Sequence, residues 1–187
     1  MWRRDGAPQV RITGTFQYGD HLKSYLLLEK LAALVANKAE GLPYRRRVEV
    51  AIWKDGKVLL TKNKSREGDE WYGLPGGGTE GETDERAARN ECLEEVGVAV
   101  TSLKKTSVLH RQEGISDKKG RAEKYRGSLT RVFSAAYAGR DTSRLGADGD
   151  SVRYVWKTPE EAKTLLADNK VDSRYRVEAM LESRPAV

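Results

Sequence analysis

The sequence has few of the residues that build disulfide frameworks, zinc sites or nucleophilic triads. Among its 187 residues there is one cysteine, Cys92, and there are two histidines, His21 and His110. One cysteine cannot form an internal disulfide, and such low usage is typical of a reducing compartment. The histidines are far apart in the sequence, which contains no Cys/His zinc spacing, P-loop or Ser-His-Asp constellation. We therefore expect each histidine to be structural or exposed instead of catalytic.

Long apolar segments are also lacking. Apolar runs such as residues 25–28 are far too short for a bilayer span, which needs about 20 apolar residues. Residues 1–10, MWRRDGAPQV, do not contain the apolar core of a signal peptide. We therefore expect a cytoplasmic protein that has no membrane partner.

The charge balance is basic. Lysine and arginine number 34 against 28 aspartates and glutamates, which gives a formal net charge of +6. Such a balance favours anionic partners, including nucleotides, polynucleotides and acidic surfaces. Apolar residues make up 38% and charged residues 33% of the chain, which suits a globular protein with one core domain and room for an appendage.

The first 43 residues are expected to form an N-terminal extension. Residues 10–16 alternate apolar and polar side chains as a half-buried strand does. Residues 21–40 are rich in Leu, Ala, Glu and Lys, and Gly41 and Pro43 follow them, so they predict a long helix. This helix could pack on its own domain or pair with a second copy in a homodimer.

The remaining sequence mixes strand and helix patterns. Strands are predicted at residues 48–53, 58–61, 98–100, 106–110, 129–137 and 152–156, the first two joined in a hairpin by residues 54–57. Charged loops are predicted at residues 62–70, 111–127 and 138–151, and helices from Thr83, from Thr158 and over residues 173–182. Without regular βαβ alternation, this order indicates an α+β domain with a mixed sheet between helices.

One predicted helix concentrates negative charge. It begins near Thr83 and ends at Gly97, and Glu91, Glu94 and Glu95 fall within an arc of roughly 100° on its surface. A turn of three glycines, residues 76–78, precedes it and permits close backbone approach. Clustered carboxylates repel one another unless a cation lies between them, and Mg²⁺ prefers oxygen ligands. The alternative is an ordinary solvated acidic face.

The wider context resembles the Nudix box, G-x5-E-x7-R-E-U-x-E-E-x-G-U, where U is aliphatic. Residues 76–98 follow this pattern from Gly76 through Glu82 to Val98, and the preceding Trp71-Tyr72 resembles the usual lead-in. Two departures matter: Asn90 stands in place of the box arginine, and the loop before Glu82 is one residue shorter than in many members. In the family that arginine helps to hold the catalytic glutamates in place.

The resemblance, strong at residues 71–98 and weaker over 44–168, implies a Nudix-like hydrolase domain at 44–187. That domain would be an α/β/α sandwich, with the N-terminal strand and helix added to it. The box positions imply catalytic and metal-binding roles for Glu91, Glu94 and Glu95, with Glu91 a general base or a shared ligand. The carbonyl of Gly76 would add a metal ligand, and Glu82 would support the cluster. The implied cofactor is Mg²⁺, which Mn²⁺ could replace.

The implied reaction is hydrolysis of a pyrophosphate bond in a nucleoside diphosphate linked to another moiety, with a (d)NTP or related nucleotide as leading candidate. Trp71 and Tyr72 could stack on a base, and Arg121, Lys124 and Arg126 could hold phosphates. Two alternatives stay open. Asn90 and the short loop favour a non-catalytic nucleotide- or RNA-binding module, whereas the basic charge favours an RNA-end or cap pyrophosphohydrolase.

Overall fold

The computed structural model describes residues 41–64, 70–114, 121, 123–144, 153–168 and 173–185. The strand predicted at residues 10–16 and the helix predicted at 21–40 lie outside these ranges. The division of the chain near residue 43 therefore stays a prediction.

Within the described ranges the chain forms strands and helices in mixed order. The strands are β1 (Tyr44–Lys54), β2 (Lys57–Lys64), β3 (Glu70–Gly73), β4 (Gly76–Gly78), β5 (Val98–Glu113), β6 (Gly127–Arg140) and β7 (Arg153–Lys157). The helices are α1 (Asp84–Val96), α2 (Pro159–Ala167) and α3 (Arg174–Glu182). None of these three helices combines the length and apolar character that a bilayer crossing requires.

The strands form one mixed sheet in the order β3-β2-β1-β6-β5. β4 pairs with β1, and β7 pairs with β2. The pair β1–β6 is parallel, running from Tyr44↔Gly127 to Trp53↔Ala136, and the other pairs are antiparallel. The predicted α+β class with a mixed sheet is confirmed.

Alternate residues of β1 supply two cores on opposite faces of the sheet. Val50 and Ile52 are fully buried with the inner face of α1, whereas Ala51 and Trp53 pack with α2 and α3. Successive side chains of a strand point to opposite faces, so one apolar strand can join both layers. β1 is therefore the central element of a helix–sheet–helix sandwich.

Several turns and helix ends lie where the local sequence predicts them. Asp55 and Gly56 form the predicted hairpin turn, with φ of 48° and 71°, because a two-residue turn of this kind needs positive φ at both positions. Thr158 caps α2 through a reciprocal capping box with Glu161, as its sequence indicates. α3 covers Arg174–Glu182, also as predicted.

Several residues that were predicted to lie in loops belong to strands, and two of the predicted strands form one continuous strand. Residues 98–100 and 106–110 belong to a single strand, β5, which continues through residues 111–113 and has register shifts along its pairing with β6. β2 takes in residues 62–64, and β6 takes in 127–128 and 138–140. These segments are polar, so only pairing with a neighbouring strand makes them extended.

A buried ion pair attaches α3 to the sheet. The guanidinium of Arg176 donates to both carboxylate oxygens of Glu49, at 2.7 and 2.6 Å, and the Tyr175 hydroxyl donates to the same carboxylate at 3.0 Å. The Glu49 and Arg176 side chains are 3% and 14% exposed. Since a buried charge needs such compensation, this contact fixes α3 against β1.

Candidate active site

Helix α1 presents its carboxylates in a fixed direction because both of its ends and one of its faces are held. The Thr83 side chain accepts a hydrogen bond from the Arg86 N–H, and Gly97 ends the helix in the left-handed conformation with φ of 62°. Ala88, Cys92 and Val96, which are spaced four residues apart along one face of the helix, are buried against the sheet. The acidic face therefore turns toward the glycine segment.

That glycine segment is a strand instead of the predicted turn. Gly76–Gly78 form β4, which pairs with residues 47–49 of β1. A Cβ added at Gly77 would collide with the Glu91 carboxylate, and one added at Gly76 would collide with the Val48 carbonyl oxygen. The expected close approach is present, and glycine is needed because β4 lies directly between β1 and α1.

Glu91 and Glu95 are half-buried against this strand, whereas Glu94 is exposed to solvent. The Gly76 N–H donates to Glu95 Oε2 at 2.7 Å. Glu91 lies over Gly77. The structure thus brings Glu91 and Glu95 together against Gly76 and Gly77, and their catalytic and metal-binding roles stay predictions.

Burial makes a negative charge energetically unfavourable on Glu91 and Glu95. It raises the pKa of Glu95 to about 7, an effect that the Gly76 hydrogen bond opposes and that Glu91 and Glu49 reinforce. Burial and the neighbouring Glu94 also raise the pKa of Glu91, which Arg47 and Arg45 counteract. A bound cation would offset this cost.

The donor set suits a hard cation, although the side chains do not converge on one point. Among the described residues, no three His, Cys, Asp or Glu side chains are arranged to hold a metal ion. Most of the box carboxylates contact protein partners, as Glu95 does at Gly76 and Glu94 does at Arg144. Mg²⁺ accepts one or two carboxylates and completes its shell with water and phosphate oxygens, so Glu91 and Glu95 suffice to begin such a site.

Asn90 takes part in a network on the outer side of α1. Its Nδ2 donates to Glu82 Oε2 at 2.8 Å, and its Oδ1 accepts from Arg144 Nη1 at 2.8 Å. Glu82 also pairs with Arg86 Nε at 3.0 Å. The predicted supporting residue, Glu82, is therefore linked to the helix through Asn90.

The basic run at residues 45–47 also bears on the site, although no sequence motif assigns it there. Arg45 is 8% exposed, and its Nη2 donates to Glu80 Oε1 at 2.5 Å. Arg45 and Arg47 both lower the pKa of Glu91 electrostatically. They belong to the alternate set of β1 positions that includes Ala51, on the face opposite α1. The two-residue spacing in a strand predicts that Arg45 and Arg47 share a face, but not that they are electrostatically near Glu91.

The aromatic candidates are Trp71 and Tyr72 on β3, which differ in surroundings. Trp71 is 43% exposed and accessible to a ligand. Tyr72 packs against the core beneath α2 and α3. Their roles in binding stay predictions.

The three basic residues that were predicted to hold phosphates also differ in their surroundings. Arg121 is half-buried and lowers the pKa of Glu80 electrostatically, which places it near the loop before α1. Lys124 is exposed. Arg126 lies over the Tyr44 ring at 5.0 Å from its centroid and pairs with Glu113 at 3.5 Å. Of the three, Arg121 is the one that these contacts connect to the site.

Comparison with known proteins gives consistent results. The family model for the NUDIX domain matches residues 43–179. A protein from Gluconobacter oxydans (strain 621H) named RNA pyrophosphohydrolase is 34% identical over 105 residues, which are 54% of this chain and 62% of that protein. The chain thus spans less than two thirds of that relative.

Solved structures share the fold. A Nudix hydrolase from Nitrosomonas europaea superposes with a TM-score of 0.58 at 21% identity, covering 75% of this chain and 90% of that one. A structure titled ADP compounds hydrolase also gives a TM-score of 0.58, at 19% identity, covering 77% of this chain and 73% of that one. With the family match over most of its length, and the box on the helix and strand just described, the chain belongs to the Nudix family.

Proposed function

We propose that the protein hydrolyses a pyrophosphate bond in a nucleoside diphosphate linked to another moiety, with Mg²⁺ or Mn²⁺ as cofactor. The observation that carries the proposal is the packing of Glu91 and Glu95 against the glycine strand, where burial penalises their charge. Catalytic centres commonly contain carboxylates whose pKa is perturbed in this way.

Glu91, Glu94 and Glu95 would hold the metal, and the Gly76 carbonyl is a candidate fourth ligand. A divalent ion bound there would neutralise the diphosphate and lower the pKa of a bound water. Glu91 would be the general base or a shared metal ligand: it lies over Gly77, and burial and the neighbouring Glu94 raise its pKa, which favours proton acceptance. Phosphoryl transfer needs mainly positioning and charge neutralisation.

Arg45, Arg47 and Arg121 would bind the phosphate oxygens of a substrate held at the carboxylates. Arg45 and Arg47 come from β1 and are electrostatically coupled to Glu91, and Arg121 is coupled to Glu80. Guanidinium groups bind phosphate oxygens through paired donors. These residues extend the predicted contacts of Lys124 and Arg126.

The leading substrate is a (d)NTP or related nucleotide. The second candidate is the 5′ end of an RNA, which the similarity to a protein named RNA pyrophosphohydrolase and the net charge of +6 favour. Binding an RNA strand releases counterions, so RNA affinity would fall steeply with salt.

A substrate panel tests the proposal. Nucleoside triphosphates, nucleoside diphosphate conjugates and 5′-triphosphorylated RNA are incubated with Mg²⁺ or Mn²⁺, and products are identified by phosphate release and mass spectrometry. We expect Glu94→Gln and Glu95→Gln to lower turnover strongly at limiting metal. Glu178→Gln on the exposed face of α3 is the matched control. Wild-type turnover in both site variants would refute the metal site, and nucleotide binding without turnover would support the non-catalytic module.

A further inference from the structure

Asn90 connects a carboxylate of the box to a cation that the box does not contain. A carboxylate can only accept and a guanidinium can only donate, so the amide of Asn90 satisfies both partners in one orientation. It donates to Glu82 Oε2 and accepts from Arg144 Nη1, both at 2.8 Å. Arg144 is far along the chain, beyond β6.

The same guanidinium also reaches the next turn of the helix. Arg144 Nη2 lies 3.6 Å from Glu94 Oε1. Positions 90 and 94 are neighbours on the surface of α1, so one planar fork can contact both. Arg144 is thus in direct contact with Glu94 and in contact with Glu82 through Asn90.

The segment that carries Arg144 is tied to the end of α1. The Asp141 N–H donates to the Gly97 carbonyl at 2.9 Å, and the Ser143 N–H donates to Asp141 Oδ1 at 3.0 Å. These bonds hold the turn beside the helix C-terminus, from which Arg144 reaches back over the preceding turns. The contact therefore depends on more than a flexible side chain on the surface.

We propose that Arg144 is a positioning residue that supplies, from outside the box, the guanidinium that α1 lacks at position 90. It orients Glu94 directly and Glu82 by way of Asn90, while Arg86 balances the other oxygen of Glu82. Carboxylates that bind a metal depend on such outer partners for their orientation. The inference rests on the proposed metal-dependent function.

The test measures metal binding without substrate. Mn²⁺ affinity is determined by paramagnetic resonance of the free ion for wild type, Arg144→Ala, Arg144→Lys, Asn90→Arg and Asn90→Arg/Arg144→Ala. Arg140→Ala is the matched control, because Arg140 is an exposed arginine of the same region whose strand pairing is through its backbone. Thermal melting confirms that each variant is folded.

Loss of an outer partner typically weakens metal binding tenfold or more, and Arg144 is half exposed, so we expect about a tenfold loss in Arg144→Ala. Arg144→Lys keeps the positive charge but loses the planar fork of the guanidinium, so its Mn²⁺ affinity should lie between those of wild type and Arg144→Ala. The decisive result is rescue: Asn90→Arg should restore the affinity of the Arg144→Ala protein to within about twofold of wild type, and kcat should follow while KM changes little.

Equal or tighter Mn²⁺ binding by Arg144→Ala would overturn the inference, because removal of a mere surface cation reduces repulsion of the metal. A loss that Asn90→Arg does not rescue would also overturn it, since it would show a general structural role. If the wild type binds Mn²⁺ and hydrolyses substrate, either result affects Arg144 alone. If the wild type does neither, the proposed function fails and the inference fails with it.

Discussion

Glu95 should reduce the stability of the metal-free protein at neutral pH. Burial raises its pKa from the ordinary 4.5 to about 7. Between these values the folded state binds more protons than the unfolded state, so the free energy of unfolding falls as pH rises through this window. At 1.36 kcal/mol for each pKa unit, the full penalty at pH 8 is roughly 3 kcal/mol.

Glu95→Gln removes the ionisation and keeps an acceptor for the Gly76 N–H. We therefore expect the variant to be more stable than wild type by up to roughly 3 kcal/mol at pH 8. Near pH 5 the gain should shrink to about 1 kcal/mol or less, because Glu95 is then mostly protonated in the folded state. Urea unfolding in a chelator at both pH values measures the free energies.

A difference between variant and wild type that is the same at pH 5 and pH 8 would refute this reasoning. Glu178→Gln, at an exposed site, should show no such dependence. Added Mg²⁺ provides a second comparison, because a ligand at 100 times its Kd stabilises a protein by about 2.7 kcal/mol. Wild type should gain most of this amount, and Glu95→Gln much less.

Three further predictions concern other parts of the chain. Arg176→Met leaves the buried Glu49 carboxylate without its cation and should lower the free energy of unfolding by about 3–5 kcal/mol in urea, whereas a loss below about 1 kcal/mol would mean that Glu49 is solvated. Gly77→Ala should displace the flexible end of Glu91, with a small change in melting temperature but at least a tenfold loss of turnover; unchanged turnover would remove Glu91 from the site. A chain that begins at Leu42 should melt lower than the full chain, since the amphipathic pattern before it predicts burial; identical melting and oligomeric state would refute this.

The parts of the fold that sequence reasoning predicted are those with local causes. Helix α1 begins after Thr83 and ends at Gly97 because a side-chain cap and a left-handed glycine act within a few residues. The hairpin turn depends only on Asp55 and Gly56. Such signals need no knowledge of the rest of the chain.

What could not be predicted depends on residues that are distant in sequence. The polar end of β5 is extended because β6 pairs with it, and no periodicity within the segment indicates this. Gly76–Gly78 gave a turn signal, yet pairing with β1 makes them a strand. Arg144 carries no motif, and only the return of the chain from β6 to the end of α1 places it beside Asn90.

The parallel pairing of β1 with β6 has a consequence for the order of folding. β1 carries the buried core residues Val50 and Ile52. Most residues of the candidate site precede the end of α1 in the sequence, so they are synthesised early. The long edge of β1, however, pairs with residues 127–136, which are synthesised much later. Until β6 closes that large loop, β1 exposes an unpaired apolar edge, which is the kind of template that recruits other chains. A nascent or truncated chain that stops before residue 127 should therefore aggregate, and formation of the β1–β6 pair should be the slow step that commits the domain to its native state.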